Sequence, residues 1–369
     1  KARRGQALSV LSRPVVEPSA RRHAPRAGPP SDWIVEWKFD GIRAQLLKRG
    51  EHWRLWSRGE ELISDAYPDL EPLARALPSG VAIDGELVVL IPPAGEYEAD
   101  SLDGLALFAS LQQRLGRKVV SEKTQRELPV AFIAYDLLEM DGRDIRAEPQ
   151  HERRAALEKL VDRLFAEAKA RGKRLPLRIS PAVAADTWEA LATKREQARA
   201  LLREGLMLKA RDGAYGIGRR KGDDRTNVWW KWKLDPMSVD AVLIYAERGH
   251  GRRSGVFTDY TFAVWSAGEE AQSRELVPFA KAYSGLTDAE IREMDAIVRR
   301  TTIETFGPVR SLTPTQVFEL GFEGIAPSKR HQSGVAVRFP RRLRRRRDKP
   351  VAEADTLDAL KALLIGKGG

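Results

Sequence analysis

The 369-residue sequence contains no cysteine. That absence excludes disulfide bonds, cysteine-ligated zinc and thiol nucleophiles, and it suits a reducing compartment. The sequence also lacks any apolar run near the roughly 18 residues that span a membrane, and no signal-peptide pattern opens it. Hydrophobic residues make up 42% and charged residues 31%, which is typical of a globular chain of two or three domains.

Positive charge is concentrated in two short segments. The formal net charge is +11, of which residues 1–27 carry a net +6 and residues 338–349 a net +7, so everything else carries −2. Basic segments of this kind either contact nucleic acid or form solvated tails. Charge alone leaves both interpretations open.

The first part of the chain alternates between strand and helix patterns. Residues 1–30 are rich in Arg, Pro, Ser and Gly and are expected to be a basic arm or the remnant of a linker; because the chain begins at Lys1, we expect a fragment of a longer protein. Period-two patterns predict strands over residues 33–38, 43–49, 52–58, 81–90, 130–138, 206–210 and 228–234. Helical spacing predicts helices over residues 151–171 and 186–204.

Asp235-Pro236 interrupts these patterns and predicts a domain boundary. Beyond it, strands are expected over residues 238–247, 256–266, 317–321 and 335–339, with one helix over residues 287–301. A few short strands with one helix suit a small barrel of the oligonucleotide-binding (OB) type. An α+β sandwich is the competing interpretation.

The segment Glu36-Trp37-Lys38-Phe39-Asp40-Gly41-Ile42-Arg43 is the first candidate for chemistry. Taken alone, Lys38 is an edge-strand lysine before an ordinary Asp-Gly turn. The functional interpretation is an activated amine, because burial and cationic neighbours lower the pKa of a lysine and free its lone pair for attack. An amine held in this way can attack phosphorus and form a phosphoramidate.

A second candidate is Trp230-Lys231-Trp232-Lys233, whose alternation puts both ammonium groups on one face of a strand and both indoles on the other. Without other motifs, this is a core strand with a solvated basic face. Asp84, in Asp84-Gly85-Glu86, is expected to shape a turn and stay outside the site. Glu204 is expected to end a helix before an apolar strand, which by itself is typical of a capping or surface acid.

These motifs occur in a fixed order together with Ser57-Arg58-Gly59, Tyr135-Asp136, Glu204-Gly205 and Arg338-Phe339-Pro340-Arg341. In that order the sequence resembles the covalent nucleotidyltransferases, and specifically the bacterial type of ATP-dependent DNA ligase. The resemblance implies an α+β, two-domain nucleotidyltransferase core. Its parts would be a basic arm (1–30), an adenylation domain of antiparallel sheets with flanking helices (31–235), an OB-fold β-barrel (236–350) and a C-terminal tail (351–369).

The resemblance also implies residue roles. Lys38 would be the nucleophile that takes AMP from ATP. Glu86 and Glu204 would bind Mg²⁺ or Mn²⁺. Of the nucleotide-binding residues, Glu36 would accept a hydrogen bond from the adenine amino group, Tyr135 would stack on the base, Arg43 and Glu86 would hold the ribose, and Arg58 would reach the nucleotide or the 5′-phosphate. The remaining cations would bind phosphates: Arg225, Lys231, Lys233, Arg341, Arg344 and Arg346.

The implied reaction seals 5′-phosphate/3′-hydroxyl nicks in duplex DNA through lysyl-AMP. The implied partner is nicked double-stranded DNA, with no membrane association, for a monomer in the bacterial cytoplasm. RNA ligases and mRNA-capping enzymes share the Lys-x-Asp-Gly chemistry, and a non-catalytic nucleic-acid-binding module is an alternative from another class. In relatives the final arginine motif orients the departing pyrophosphate. The resemblance therefore implies a function for residues 338–349, and a solvated tail is the competing interpretation.

Overall fold

The computed structural model describes residues 28–91, 101–115, 117, 119–216, 229–251, 254–266, 274–283 and 287–364. The chain divides into two compact units, Lys1–Leu234 and Asp235–Gly369. The division falls at the Asp235-Pro236 break in the sequence pattern.

The first unit is built from two sheets and several helices. Its elements in chain order are β1 (Trp33–Phe39), β2 (Ile42–Arg49), β3 (His52–Ser57), α1 (Glu71–Ala76), β4 (Val81–Val89), α2 (Phe108–Gln112), α3 (Glu122–Glu127), β5 (Val130–Met140), β6 (Arg143–Asp144), α4 (Gln150–Ala170), β7 (Leu177–Ile179), α5 (Trp188–Gln197), β8 (Arg203–Ala210) and β9 (Trp229–Lys233).

One sheet has the strand order β1-β8-β9, and the other has the order β3-β2-β4-β5-β6 with β7 parallel to β5. The strands within each ordered path are antiparallel. Helix α4 buries Leu157, Leu160, Val161 and Leu164 in the core of the larger sheet, which confirms the helix predicted from their spacing. Helix α5 covers the smaller sheet, whose core contains Trp232.

Helix α5 is shorter than the sequence pattern predicts. It ends at Gln197 rather than at Glu204. The chain turns through Leu202, which has φ +58°, and β8 then begins at Arg203. Because a residue in the left-handed region cannot continue an α-helix, the turn ends the helix early and places Glu204 inside a strand. The prediction that Glu204 ends a helix is therefore wrong.

The second unit contains a curled seven-stranded sheet, a separate two-stranded sheet and one long helix. Its elements are β10 (Met237–Arg248), β11 (Phe257–Trp265), β12 (Leu276–Ala282), α6 (Asp288–Thr301), β13 (Thr302–Phe306), β14 (Val309–Leu312), β15 (Val317–Phe322), β16 (Gly324–Pro327), β17 (Val335–Arg338), β18 (Arg341–Arg345) and α7 (Leu357–Lys361).

Strand β10 organises this sheet because it is long enough to serve two neighbours along one edge. Its first half pairs with β15 and its second half with β14, while β11 pairs along the other edge. The sheet curls around a core of aromatic and aliphatic side chains, into which α6 inserts Met294, Ile297 and Val298. Helix α6 begins with a capping box formed by Thr287 and Glu290, which agrees with the helix predicted to start at residue 287.

The segment predicted as a C-terminal tail, residues 351–369, is packed as far as it is described. Helix α7 buries Leu360 completely in the core of the second unit, and Ala354 is also buried. Leu357 in this helix and Leu364 just after it are partly buried and pack on the same core as Leu360.

Candidate active site

Lys38 lies near the end of β1, and its side-chain ammonium contacts the carboxylate of Glu204 on β8. Both side chains are 17% exposed. The two strands are antiparallel, with Lys38 opposite Gly205 and Phe39 opposite Arg203. Glu204 is therefore one extra residue of β8, inserted between these two registered pairs.

This extra residue forms a β-bulge, which turns a side chain away from the face that strict alternation would give it. Gly205 makes the bulge possible: its φ is +132°, and a Cβ on it would lie 2.3 Å from the carbonyl oxygen of Trp232. Only glycine fits that backbone and that space. The Glu-Gly pair thus aims the Glu204 carboxylate at Lys38.

Strand β9 adds cations to the same place. Trp232 is fully buried while Lys231 and Lys233 are exposed, which confirms the predicted alternation. The Lys233 Nζ lies 3.5 Å from a carboxylate oxygen of Glu204. Burial and the positive charges of Lys38 and Arg58 lower the pKa of Lys231. These cations converge around the Lys38 side chain, as anion binding requires.

Arg58 lies in the turn after β3 and is exposed. Its backbone N–H donates to the carbonyl oxygen of Arg43 at 3.2 Å, which ties the turn to β2. This bond places the Arg58 backbone beside Arg43. Contact of the Arg58 side chain with a phosphate stays a prediction. Arg225 lies outside the described residues.

Arg43 is held by a residue that the sequence interpretation excluded. Its guanidinium donates to both oxygens of Asp84, from Nε at 3.1 Å and from Nη2 at 2.5 Å. The Tyr215 hydroxyl accepts from Arg43 Nη2 at 2.8 Å and donates to Asp84 at 2.7 Å. Asp84 is fully buried in β4. The expectation that Asp84 shapes a turn outside the site is wrong, because β4 continues through it and points its carboxylate at Arg43.

Glu86 is opposite Arg43 in the pairing of β2 with β4. Burial raises the pKa of Glu86 to about 8, against the opposing effect of the Lys38 charge, and the negative charges of Asp84 and Glu204 contribute to the rise. Glu86 and Glu204 therefore lie within electrostatic reach of each other and of Lys38. A pair of carboxylates is a donor set that Mg²⁺ accepts.

Glu36 is surrounded by donors. It is 1% exposed, and one of its oxygens accepts from Arg154 on α4 at 2.8 Å. The other accepts from the Ser180 hydroxyl at 3.2 Å and lies 2.9 Å from Lys209 Nζ. Lys209 and Arg154 have no role in the sequence interpretation. The signal for Lys209 is its place at the end of the segment Glu204-Gly205-Leu206-Met207-Leu208-Lys209. Nothing in the helical pattern distinguishes Arg154 from its neighbours.

Tyr135 forms one wall of the site and is 8% exposed. Its ring packs edge-to-face on Trp229, with centroids 5.8 Å apart, and the Lys209 ammonium lies 4.6 Å from the ring centroid. Trp229 in turn packs against Tyr215. The aromatic rings and Lys209 thus form one packed cluster, and stacking of Tyr135 on a base stays a prediction.

The arginine-rich segment of the second unit is a strand rather than a solvated tail. Strand β18 pairs with β15, and its arginines form ion pairs with acidic residues of the same unit. Arg341 lies 3.6 Å from Glu323, Arg344 Nε lies 2.6 Å from Glu319, and Arg346 lies 2.7 Å from Asp240. All three arginines thus pair with acidic residues of the second unit. Binding of pyrophosphate by these arginines stays a prediction.

Within the described ranges, no group of three or more His, Cys, Asp or Glu side chains is placed to hold a metal ion. Among the described residues, no helix is long and apolar enough to cross a membrane.

Comparison with known proteins identifies the family. A family model for the ATP dependent DNA ligase domain matches residues 20–233. A probable DNA ligase of Koribacter versatilis is 39% identical over 341 residues, covering 88% of this chain and 55% of that protein. A probable DNA ligase of Opitutus terrae is 38% identical over 356 residues, covering 91% of this chain and 33% of that protein. The chain thus spans about half or less of the length of these curated relatives.

Solved structures identify the fold. The structure described as "Pmar-Lig_PreS3" has a TM-score of 0.59 and 17% identity, covering 85% of this chain and 63% of that one. A Lig E DNA ligase studied for DNA binding with a minimal scaffold has a TM-score of 0.51 and 19% identity, covering 86% of this chain and 94% of that one. The fold is that of a nucleotidyltransferase core, an adenylation domain followed by an OB-fold domain. This confirms the predicted α+β fold class and favours the barrel over the sandwich.

The chain belongs to the ATP-dependent DNA ligase family.

Proposed function

We propose that this chain is the catalytic core of an ATP-dependent DNA ligase that seals nicks in duplex DNA, and that Lys38 carries AMP between ATP and the nick. One observation supports this most directly. The side chain of Lys38 contacts Glu204 in a half-buried position with Lys231 and Lys233 beside it. An amine held by a carboxylate with further cations beside it suits a nucleophile for a phosphorus centre.

In the first step, Lys38 Nζ attacks the α-phosphorus of ATP. The new P–N bond forms as the bond from the α-phosphorus to the bridging oxygen breaks, and pyrophosphate leaves with that electron pair. An oxygen of the 5′-phosphate at a nick then attacks the same phosphorus, and the P–N bond breaks, which releases the amine of Lys38. The adjacent 3′-hydroxyl finally attacks the 5′-phosphate, AMP leaves and the backbone is closed. Each step builds negative charge on phosphate oxygens, so positioned cations supply most of the acceleration.

The neighbouring residues then have distinct roles. Glu36 and Tyr135 receive the adenine, and Arg43 with Glu86 receives the ribose. Lys231, Lys233 and Arg58 neutralise phosphate charge, as does Arg225. The arginines of the second unit that match the family's final motif would act on pyrophosphate: Arg341, Arg344 and Arg346.

A divalent cation fits the carboxylates of this site. Glu204 and Glu86 would hold Mg²⁺ or Mn²⁺, with phosphate oxygens and water completing its ligands. When bound, the cation neutralises charge on the reacting phosphates. Glu204 also keeps Lys38 in place through their direct contact.

The proposed substrate is nicked double-stranded DNA, acted on by a monomer in the cytoplasm at the nucleoid. A labelled nicked duplex tests the proposal. Incubation with the chain, ATP and Mg²⁺ should convert the 5′-labelled strand to the joined length, and GTP or NAD should not replace ATP. Joining of a nicked RNA duplex but not of DNA would favour the RNA ligase alternative, and the absence of any joined product would contradict the proposal.

A further inference from the structure

Arg154 has a position that the proposed chemistry leaves unexplained. It projects from α4 into the first unit, with its side chain 9% exposed, and its Nη1 donates to Glu36 Oε1 at 2.8 Å. Its Nε donates to Glu158 at 2.7 Å, one helical turn further along α4. The Arg154 guanidinium is therefore held between Glu36 and Glu158.

The donors around Glu36 can be compared with its accepting capacity. A carboxylate offers about four lone-pair positions on its two oxygens. Among the described residues, Ser180 and Lys209 approach Oε2, whereas Arg154 alone approaches Oε1. One accepting position therefore stays available, and it belongs to the oxygen that Arg154 orients.

We infer that Arg154 is a specificity-determining positioning residue, which fixes Glu36 Oε1 to receive the exocyclic amino group of adenine. This inference rests on the proposed function. Glu36 and Lys38 lie on the same face of β1, two residues apart, so one strand carries both the group for the base and the group for the α-phosphate. A 6-oxo purine would instead place an acceptor against a carboxylate, which is unfavourable.

The inference predicts a coupling between one side chain and one substituent of the nucleotide. The experiment compares ATP with purine riboside 5′-triphosphate, which carries hydrogen where ATP carries the amino group. In single-turnover formation of the protein–nucleotide adduct, followed by intact mass, the unaltered chain should use ATP roughly 10- to 100-fold more efficiently. In Arg154→Met that preference should fall to within about threefold, because the rate with ATP drops and the rate with the analogue does not.

Two further variants sharpen the comparison. Glu158→Ala removes the acceptor of the other bond of Arg154 but keeps the contact with Glu36, so the preference for ATP should be retained. Arg154→Lys keeps the positive charge but lacks the planar guanidinium that fixes the direction of the bond to Glu36 Oε1, so it should lose part of the preference. Arg154→Lys also serves if Arg154→Met does not fold by circular dichroism.

Equal loss of rate with both nucleotides in Arg154→Met or Arg154→Lys would overturn the role of Arg154, because a general structural defect does not distinguish them. The proposed function itself would be contradicted by another outcome, in which the unaltered chain forms no adduct with either nucleotide.

Discussion

Glu204 reaches the ammonium group of Lys38 because it is the extra residue of a β-bulge between β1 and β8. In a regular strand, its side chain would lie on the same face as Leu206, which is fully buried against α5. The bulge thus converts a core-facing position into a site-facing one. Gly205 carries the backbone conformation that this requires.

Gly205→Ala should therefore disrupt the site. The new methyl group would lie 2.3 Å from the Trp232 carbonyl oxygen, in a backbone conformation that side chains rarely adopt. We expect a loss of about 2–4 kcal/mol in the free energy of unfolding and a large loss of adduct formation. Urea unfolding and intact mass measure these. Gly255→Ala is the matched control, since no atom of the described residues lies within 4 Å of its Cβ position. Unchanged adduct formation in Gly205→Ala would show that the bulge does not position Glu204.

Asp84→Asn should weaken both the fold and the site. The change removes the charge that pairs with Arg43 and keeps the shape of the side chain. Because Arg43 is partly exposed, we expect a loss of about 2–3 kcal/mol in stability, below the usual cost of breaking a fully buried pair. Tyr215→Phe removes one hydroxyl from the same cluster and should cost about 1 kcal/mol. Thermal unfolding measures the stability of both variants. A larger loss of stability in Tyr215→Phe than in Asp84→Asn would contradict the assignment of Asp84 as the main stabilising residue of this cluster.

Two arginines of β18 should behave differently. Arg342 is 6% exposed and pairs with Glu290 at 2.7 Å, whereas Arg344 is 63% exposed. Arg342→Ala should therefore cost about 2–4 kcal/mol in stability, and Arg344→Ala about 0.5 kcal/mol or less.

If Arg344 acts on pyrophosphate, Arg344→Ala should slow adduct formation by roughly 10- to 10³-fold. It should slow the sealing of a nick that already carries AMP far less, because no pyrophosphate exists in that step. Single-turnover rates with ATP and with pre-adenylated DNA separate the two steps. Equal losses would mean that Arg344 only binds DNA.

The raised pKa of Glu86 predicts a pH dependence of stability. The folded pKa of about 8 exceeds the ordinary carboxyl value near 4.5, so the folded state binds more protons between these values. Stability should fall as pH rises through this interval. Glu86→Gln should flatten the slope. Urea unfolding at pH 5, 6.5 and 8, with chelator and without nucleotide, measures it. A slope unchanged in Glu86→Gln would assign it to other groups.

Local patterns in the sequence were sufficient for features that a strand or helix period determines. The alternation of Lys231, Trp232 and Lys233 predicted which face carries the cations, and the spacing of Leu157 and Leu164 predicted α4. The role of Asp84 could not be predicted in this way, because its partners Arg43 and Tyr215 are 41 and 131 residues away in sequence. Long-range contacts of this kind have no local signal.

Several strands were not predicted, and two of them show why. Strand β12 contains Pro278, which weakens a strand pattern, although an edge position tolerates it and β12 pairs only with β11 in the described sheet. Strand β18 is nearly all arginine and shows no apolar alternation. Its backbone pairing with β15 and its ion pairs with acidic neighbours make it a strand.

Mapping the AMP adduct tests the central claim most directly. After incubation with ATP and Mg²⁺, the intact protein should gain the mass of one AMP, and peptide mapping should place it on Lys38. Lys38→Ala and Lys38→Arg should gain none, since alanine has no amine and the guanidinium stays protonated at working pH. An adduct on another residue, or a stable adduct in Lys38→Ala, would contradict the assignment of Lys38 as the nucleophile.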